Sequence, residues 1–566
     1  MFKKNTKHLQ PAIISAASEL SEKQRKRLES SWAGTFYEQF FCRIKEEAFA
    51  VLYSDIPSRP NVPVNVLVGL EALKAGYGWS DLELYENYCY NLQVRYALGY
   101  DRLGDGDFEI RTLYYFRERL SRYNAEKGIN LLEEAFEQIT DAQIMDLKVR
   151  TGMQRMDSTQ VASNIVFASR LQLMVEALQR IERILSAADK ARLADTLAPY
   201  MQDSAGHYTY RVKGKEAVQE HLRQIGQAIH ALLLELKLDY ASEPAYQVME
   251  RIFAENFNLI EDSVCPKENQ ELSSSCLQSV DDLEATYRTK GKNHYKGYVA
   301  NVTETCDPEN DLQLITKMQV APNNVDDTQL MEETLPNLKE RTELEVLYTD
   351  GGYGSPRADH ILRDNQIEQI QTAIRGPKPD PHKFHLSDFD IHLDQQGAPT
   401  HITCPYGQNV VITPARTTGL QARFDPEICT ACPFHRDNRC QAKPQNRDQR
   451  YLLSFTLKKI RAAQRRKDFL SHKHNGQNLR AAVEATVRSV KHPFPAGKLP
   501  VRGLFRITCM LIGSAMMTNA RRIQHYLETR KKLEVEQPLV SFFASLKTDL
   551  CVWMAHLTLQ KLSLGC

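Results

Sequence analysis

The sequence predicts a mixed α/β protein, a sheet surrounded by helices, and three observations carry that expectation. Long stretches repeat apolar residues every three or four positions, the spacing of one helix face. Several short runs instead carry alternating or β-branched apolar residues, which suit strands. Both kinds of segment recur along the chain, so helices and strands must pack as layers of a mixed sheet.

In chain order, residues 1–145 read as a helical N-terminal domain. Within it Ser80-Asp-Leu-Glu83 is a capping box that opens a helix after the break at Gly76-Tyr-Gly78. Leu82, Tyr85, Cys89 and Leu92 then form one stripe of that helix. From residue 145 to 161 the texture changes. Leu147, Val149, Met153 and Met156 alternate with polar neighbours, which suits a pair of short strands with Asp157 ending the second. Residues 146–165 are therefore the first part of the sheet.

Residues 166–275 return to helix. Leu171, Met174, Leu178, Ile181 and Leu185 form one stripe, and Leu222, Ile225, Ile229, Leu232 and Leu236 form another, as in a helical hairpin or small bundle inserted into the sheet. Strand signals resume in the segment 276–375, at residues 295–302, 312–320 and 344–349, with Gly351-Gly352 stopping the last and residues 370–374 adding one more. Residues 376–450 are rich in Pro, Gln, Asp and Cys with weak periodicity and read as a small loop-rich insertion. Residues 451–530 are helical again. Residues 531–566 form a tail helix, with Leu546, Leu550, Trp553 and Leu557 on one stripe.

Charge balance over the whole chain is close to zero, with 72 Lys+Arg against 71 Asp+Glu in 566 residues. That excludes a histone-like binder and a polyanionic tail protein. The longest apolar run, residues 507–517, falls short of the roughly 20 residues a spanning helix needs. Lys3, Lys4 and Lys7 precede only a brief apolar segment, a poor secretory signal. The expectation is a soluble protein of a reducing compartment with no membrane partner.

The candidate chemistry begins with two carboxylates. Asp157 and Asp350 are each the first acid after an apolar run and each leads into a turn, which places both at a sheet edge. Carboxylates on adjacent strands can share divalent metal ions. Asp also ends strands for purely structural reasons. A third acid, Glu484, lies in an Ala-rich run expected to be helical, where offsets of 4 and 7 from Arg480 put Arg480, Glu484 and Lys491 on one face. Such a Glu is commonly a solvated ion pair. The surrounding charge argues otherwise: residues 443–506 carry sixteen Lys and Arg against Asp448, Asp468 and Glu484, a net +13. A surface of that kind grips phosphates.

These residues resemble the bacterial insertion-sequence transposases with an RNase H-like DDE catalytic domain. The resemblance rests on Arg480-x3-Glu484-x6-Lys491, which fits the family pattern Y-x2-R-x3-E-x6-K by spacing, on Met156-Asp157-Ser158-Thr159, and on Tyr348-Thr-Asp350-Gly-Gly-Tyr-Gly354. The family's Tyr is replaced by Gln477, which hydrogen-bonds but stacks poorly. Residues 66–120 and 285–298 also look like family segments, so the likeness spans about residues 60–525.

The resemblance implies metal-dependent cleavage at element ends and strand transfer, with Asp157, Asp350 and Glu484 holding Mg²⁺ or Mn²⁺. It implies that Arg480, Lys491, Arg488 and Gln477 contact DNA, that terminal inverted repeats and target DNA are the partners, and that the N-terminal helices read the repeats. A homodimer in the bacterial cytoplasm, associated with the nucleoid, is implied as well. Two other readings share these residues: a transposase-derived DNA-binding protein without catalysis, and a metal-dependent nuclease without strand transfer.

Cysteine placement raises a separate expectation. Cys404, Cys429, Cys432 and Cys440 cluster in the loop-rich insertion with one C-x2-C pair, a set that could close a Zn²⁺ site with His435 as a substitute ligand. Unligated thiols fit the same pattern.

Overall fold

A computed structural model of the chain describes residues 1–9, 19–57, 59–100, 102, 104–261, 263–372, 380–394, 397–415, 419–445, 449–473 and 479–563, without side chains at 471–473 and 534–563. The described residues up to 147 fold as helices and connecting turns, and the capping box is present: Ser80 Oγ accepts from the Glu83 amide while Glu83 accepts from the Ser80 amide, opening the helix Asp81–Tyr90. Its inward face is Leu84 and Tyr88, whereas Leu82 is exposed, so the expected stripe is rotated. Before it, the helix Val64–Tyr77 is almost wholly buried and ends at Gly78, whose φ of 70° is the left-handed conformation of a helix cap.

One strand, β1 (Met153–Val161), forms where two were expected, because residues 131–147 belong to the helix Leu131–Leu147 and Asn130 caps it through its side chain. The helices between Arg170 and Asn256 follow. The predicted stripes are buried there, and Met174, Leu178, Ile225 and Ile229 are fully enclosed in a core that these helices share with the small hairpin β2 (Phe257–Ile260) and β3 (Ser263–Pro266).

The main sheet then assembles from β4 (Thr286–Lys290), β5 (Asn293–Thr305), β6 (Ile315–Pro322), β7 (Val346–Thr349) and β8 (Glu368–Gln371), together with β1. On one side of β1 the pairing is antiparallel, through β5 to β6; on the other it is parallel, to β7 and then β8. β1 is thus a central strand. Both faces are covered, as a central strand requires. One face packs on the N-terminal helices and the long helix Leu504–Ser563, sharing a core that runs from Phe36 and Leu70 through Val302 and Met318 to Ile507 and Leu511. The opposite face holds Met156 and Leu347 against Met331, Leu335 and Tyr353.

The described residues between 390 and 455 differ from expectation. They form a second six-stranded sheet of β9 (Asp390–Leu393), β10 (Pro399–Thr403), β11 (Asn409–Pro414), β12 (Leu420–Phe424), β13 (Lys443–Pro444) and β14 (Tyr451–Phe455). Its core is small, around Phe389, Ile402, Phe424 and Phe455, so each short strand contributes only one or two apolar residues and no period shows in the sequence. Residues 453–455, expected to be helical, end β14. The terminal helix runs unbroken from Leu504 to Ser563, with no boundary near 531. The side chains of Leu546, Leu550, Trp553 and Leu557 lie outside the described residues. Among the described residues no helix is long and apolar enough to cross a membrane.

Candidate active site

The site forms where two parallel strands stop pairing. Register matches Met153 with Val346, Gln154 with Leu347 and Arg155 with Tyr348. Carried two residues further, it sets Asp157 across from Asp350. Asp350 directly follows β7, as expected. Asp157 does not end its strand, because β1 continues against β5 to Val161, and it lies in the middle of the sheet rather than at an edge strand.

One guanidinium joins the two acids. Arg480 Nη2 is 2.9 Å from Asp157 Oδ1 and 3.9 Å from Asp350 Oδ2. The remaining partners are backbone amides: Ser158 N donates to Asp157 Oδ1 at 3.0 Å and Gly352 N to Asp350 Oδ1 at 2.7 Å. Asp157 is the more enclosed, its side chain 12% exposed against 30% for Asp350. Burial pushes the Asp157 carboxyl above its ordinary pKa, the Asp350 charge adds to this, and Arg480 works against both.

The charge of Glu484 acts on the same guanidinium. Glu484 is exposed in the first turn of the helix Val483–Lys491. Burial lowers the Arg480 pKa, but attraction to Asp157, Asp350 and Glu484 outweighs it and the guanidinium holds its proton more tightly than usual. The expected helix is shorter than predicted: Val483 N bonds to Arg480 O and Glu484 N to Ala481 O, so residues 480–482 form tight turns. Arg480 therefore sits ahead of the helix, in a turn held by the Arg155 guanidinium on Leu479 O at 2.7 Å.

The other basic residues separate. Lys491 is half-buried and donates to Gln160 O at 2.8 Å, tying the helix end to β1, and burial lowers its pKa. Arg488 is exposed. Gln477 lies outside the described residues.

Two site residues escaped the sequence reading. Asp327, at the start of the helix Asp327–Arg341, accepts from Ser158 Oγ at 2.9 Å. Tyr353 lies fully buried beneath the acids, its hydroxyl donating to Asn301 Oδ1 at 2.8 Å. Burial first, and then the charges of Asp327, Asp157 and Asp350, hold its phenol well above the usual pKa and so neutral. Gly352 separates two of these acids. A Cβ there would stand 2.9 Å from Asp350 Oδ1 and 3.0 Å from Asp327 Oδ2, too close for any other residue without a shift.

As a donor set, Asp157, Asp350 and Glu484 suit a hard divalent cation, which would relieve the repulsion between Asp157 and Asp350. Cys404, Cys429, Cys432 and Cys440 are unpaired and line a cavity of about 30 Å³ with His435, Phe434 and Tyr451. Burial and the neighbouring thiols push Cys429 up to about 11, the Gln408 amide opposing them. Among the described residues, His435 Nδ1 is buried without a hydrogen-bond partner. The thiols suit a soft cation in kind. In placement, among the described residues no group of three or more His, Cys, Asp or Glu side chains is arranged to hold a metal ion.

Residues 273–520 match the family model described as "Transposase DDE domain". The matched stretch contains Asp350, Arg480 and Glu484 and begins after Asp157. No curated protein and no solved structure matches the chain. The family match supports a DDE transposase.

Proposed function

We propose that the protein is a DDE transposase that cuts DNA at the ends of its element and joins those ends to target DNA by phosphoryl transfer. The observation that carries the reading is the Arg480 guanidinium shared between Asp157 and Asp350, two acids just beyond the paired residues of β1 and β7, with the charge of Glu484 acting on it. The mixed sheet, antiparallel on one side of β1 and parallel on the other, supports an RNase H-like catalytic domain built from residues 146–165, 276–375 and 451–530. In this reading residues 166–275 and 376–450 are insertions, and the helices up to 145 bind the terminal inverted repeats.

Asp157, Asp350 and Glu484 would hold Mg²⁺ or Mn²⁺, whose chemistry is to generate a nucleophile from water or a 3′-hydroxyl and to neutralise charge on phosphoryl oxygens. The chain's own part is to fix the carboxylates on rigid elements. Arg480 stabilises them while they are ionised, and its Nε is buried without a hydrogen-bond partner among the described residues. Arg488, Lys458 and Lys459 are exposed and suited to backbone phosphates. Lys491 serves through β1. Two element ends need two active sites, which a homodimer supplies. The setting is the bacterial cytoplasm, at the nucleoid. Zn²⁺ at the four cysteines would be structural, a staple for the small second sheet.

The test is incubation of the full chain with Mg²⁺ and a duplex carrying the DNA that brackets its reading frame. Cleaved ends joined to a target plasmid are the expected products. Cleavage without joining would make it a nuclease, and binding alone would make it a DNA-binding protein.

A further inference from the structure

The helix start at Asp327 touches the neighbours of both central acids. Asp327 Oδ1 accepts the Ser158 hydroxyl at 2.9 Å, and Ser158 in turn donates its backbone N–H to Asp157 Oδ1 at 3.0 Å. Thr328 Oγ1 donates to the carbonyl of Gly352 at 3.3 Å, and the Gly352 amide donates to Asp350 Oδ1 at 2.7 Å. Adjacent residues of one helix turn thus hold the two residues whose amides orient the two carboxylates. The geometry has a simple origin. Side chains alternate along β1, so Asp157 faces the Glu484 helix while Ser158 faces the opposite layer, where Asp327 lies. The Asp326 side chain accepts from Thr328 N, which caps the helix and fixes the direction of its first turn. Arg288 Nη1, 3.6 Å from Asp327 Oδ1, balances the charge of a residue only 9% exposed.

We propose that Asp327 is a positioning residue for the catalytic centre, acting through Ser158 to hold the Asp157 carboxylate in place. This rests on the transposase reading above. The role belongs to the acceptor oxygen, not to the negative charge, so an amide in the same place performs it.

The experiment compares Asp327→Asn, Asp327→Ala, Ser158→Ala and the double variant Asp327→Ala/Ser158→Ala in Mg²⁺-dependent cleavage of the end duplex, with Asp350→Ala as reference and unfolding temperature recorded for each. Asp327→Ala and Ser158→Ala should each slow cleavage by roughly 10- to 100-fold, the scale of a hydrogen bond to a charged group. The double variant should be no slower than the slower single variant, since both remove one relay. Asp327→Asn should cleave several-fold faster than Asp327→Ala, because a neutral acceptor keeps about half of the bond. Native-like cleavage by Asp327→Ala, additive losses in the double variant, or equal losses for Asn and Ala would each overturn the proposal while Asp350→Ala stays inactive. Cleavage by Asp350→Ala overturns the transposase reading itself.

Discussion

Two buried clusters of charge lie side by side between β1 and the Glu484 helix, and they are built in opposite ways. Around Glu304, which is fully buried, every carboxylate oxygen is engaged. Oε1 accepts from Arg155 Nε at 2.6 Å, and Oε2 accepts from Thr486 Oγ1 at 2.6 Å and from Arg522 Nη1 at 2.8 Å. Arg155 belongs to β1, Thr486 to the Glu484 helix and Arg522 to the terminal helix, so one acid fastens three elements. Around Asp157 the same strand carries an acid repelled by Asp350 and balanced by one shared guanidinium. A saturated cluster is scaffold, whereas an unsaturated one keeps a functional group in reserve.

That contrast can be broken by substitution. The largest effect is expected at Asp350→Ala and Glu484→Ala, which should lower cleavage by about 10⁴-fold or more, the scale of losing a catalytic group, with little change in unfolding temperature. A gel assay beside a thermal melt separates the two. Next comes Glu304→Ala, which leaves the buried Arg155 and the half-buried Arg522 without their shared acid and should cost about 3–5 kcal/mol of stability, read as a lower urea midpoint. Gly352→Ala should follow, since its methyl group pushes two carboxylates apart; about 1–3 kcal/mol of local strain is the scale for such crowding, and cleavage should drop while the sheet remains folded by circular dichroism. Smallest is Arg488→Ala, an exposed residue: DNA affinity should weaken modestly, with the salt dependence falling by about one ion, measured by anisotropy at several salt concentrations.

The same contrast explains what could be read without the structure. Asp157 and Asp350 were visible because each is the first acid after an apolar run, and Glu484 because it stands nearly alone among cations. Glu304 was invisible: in Val-Thr-Glu-Thr an acid in an alternating strand looks like a solvent-facing position, and only the arrival of two arginines from residues 155 and 522 buries it. Asp327 was hidden by its company, because Asp326-Asp327 is an ordinary helix start. Its bond to Ser158 spans 169 residues and depends on the sheet's assembly. Arg480 was placed on the Glu484 helix because helical periodicity was carried through residues that turn instead. The second sheet was read as loops because its strands bury too few residues for alternation to emerge.

Asp157→Asn tests the central claim most directly, measured for cleavage and for unfolding temperature across pH. The Asp157 carboxyl is raised by burial, so folding at neutral pH works against its ionisation; this burden is present above its folded pKa and fades as pH falls toward the ordinary Asp range. The variant should therefore lose cleavage yet unfold at an equal or higher temperature than the native chain at pH 7, with the difference shrinking in acid. Retained cleavage, or a fall in unfolding temperature at pH 7 like that expected for Glu304→Ala, would contradict the account.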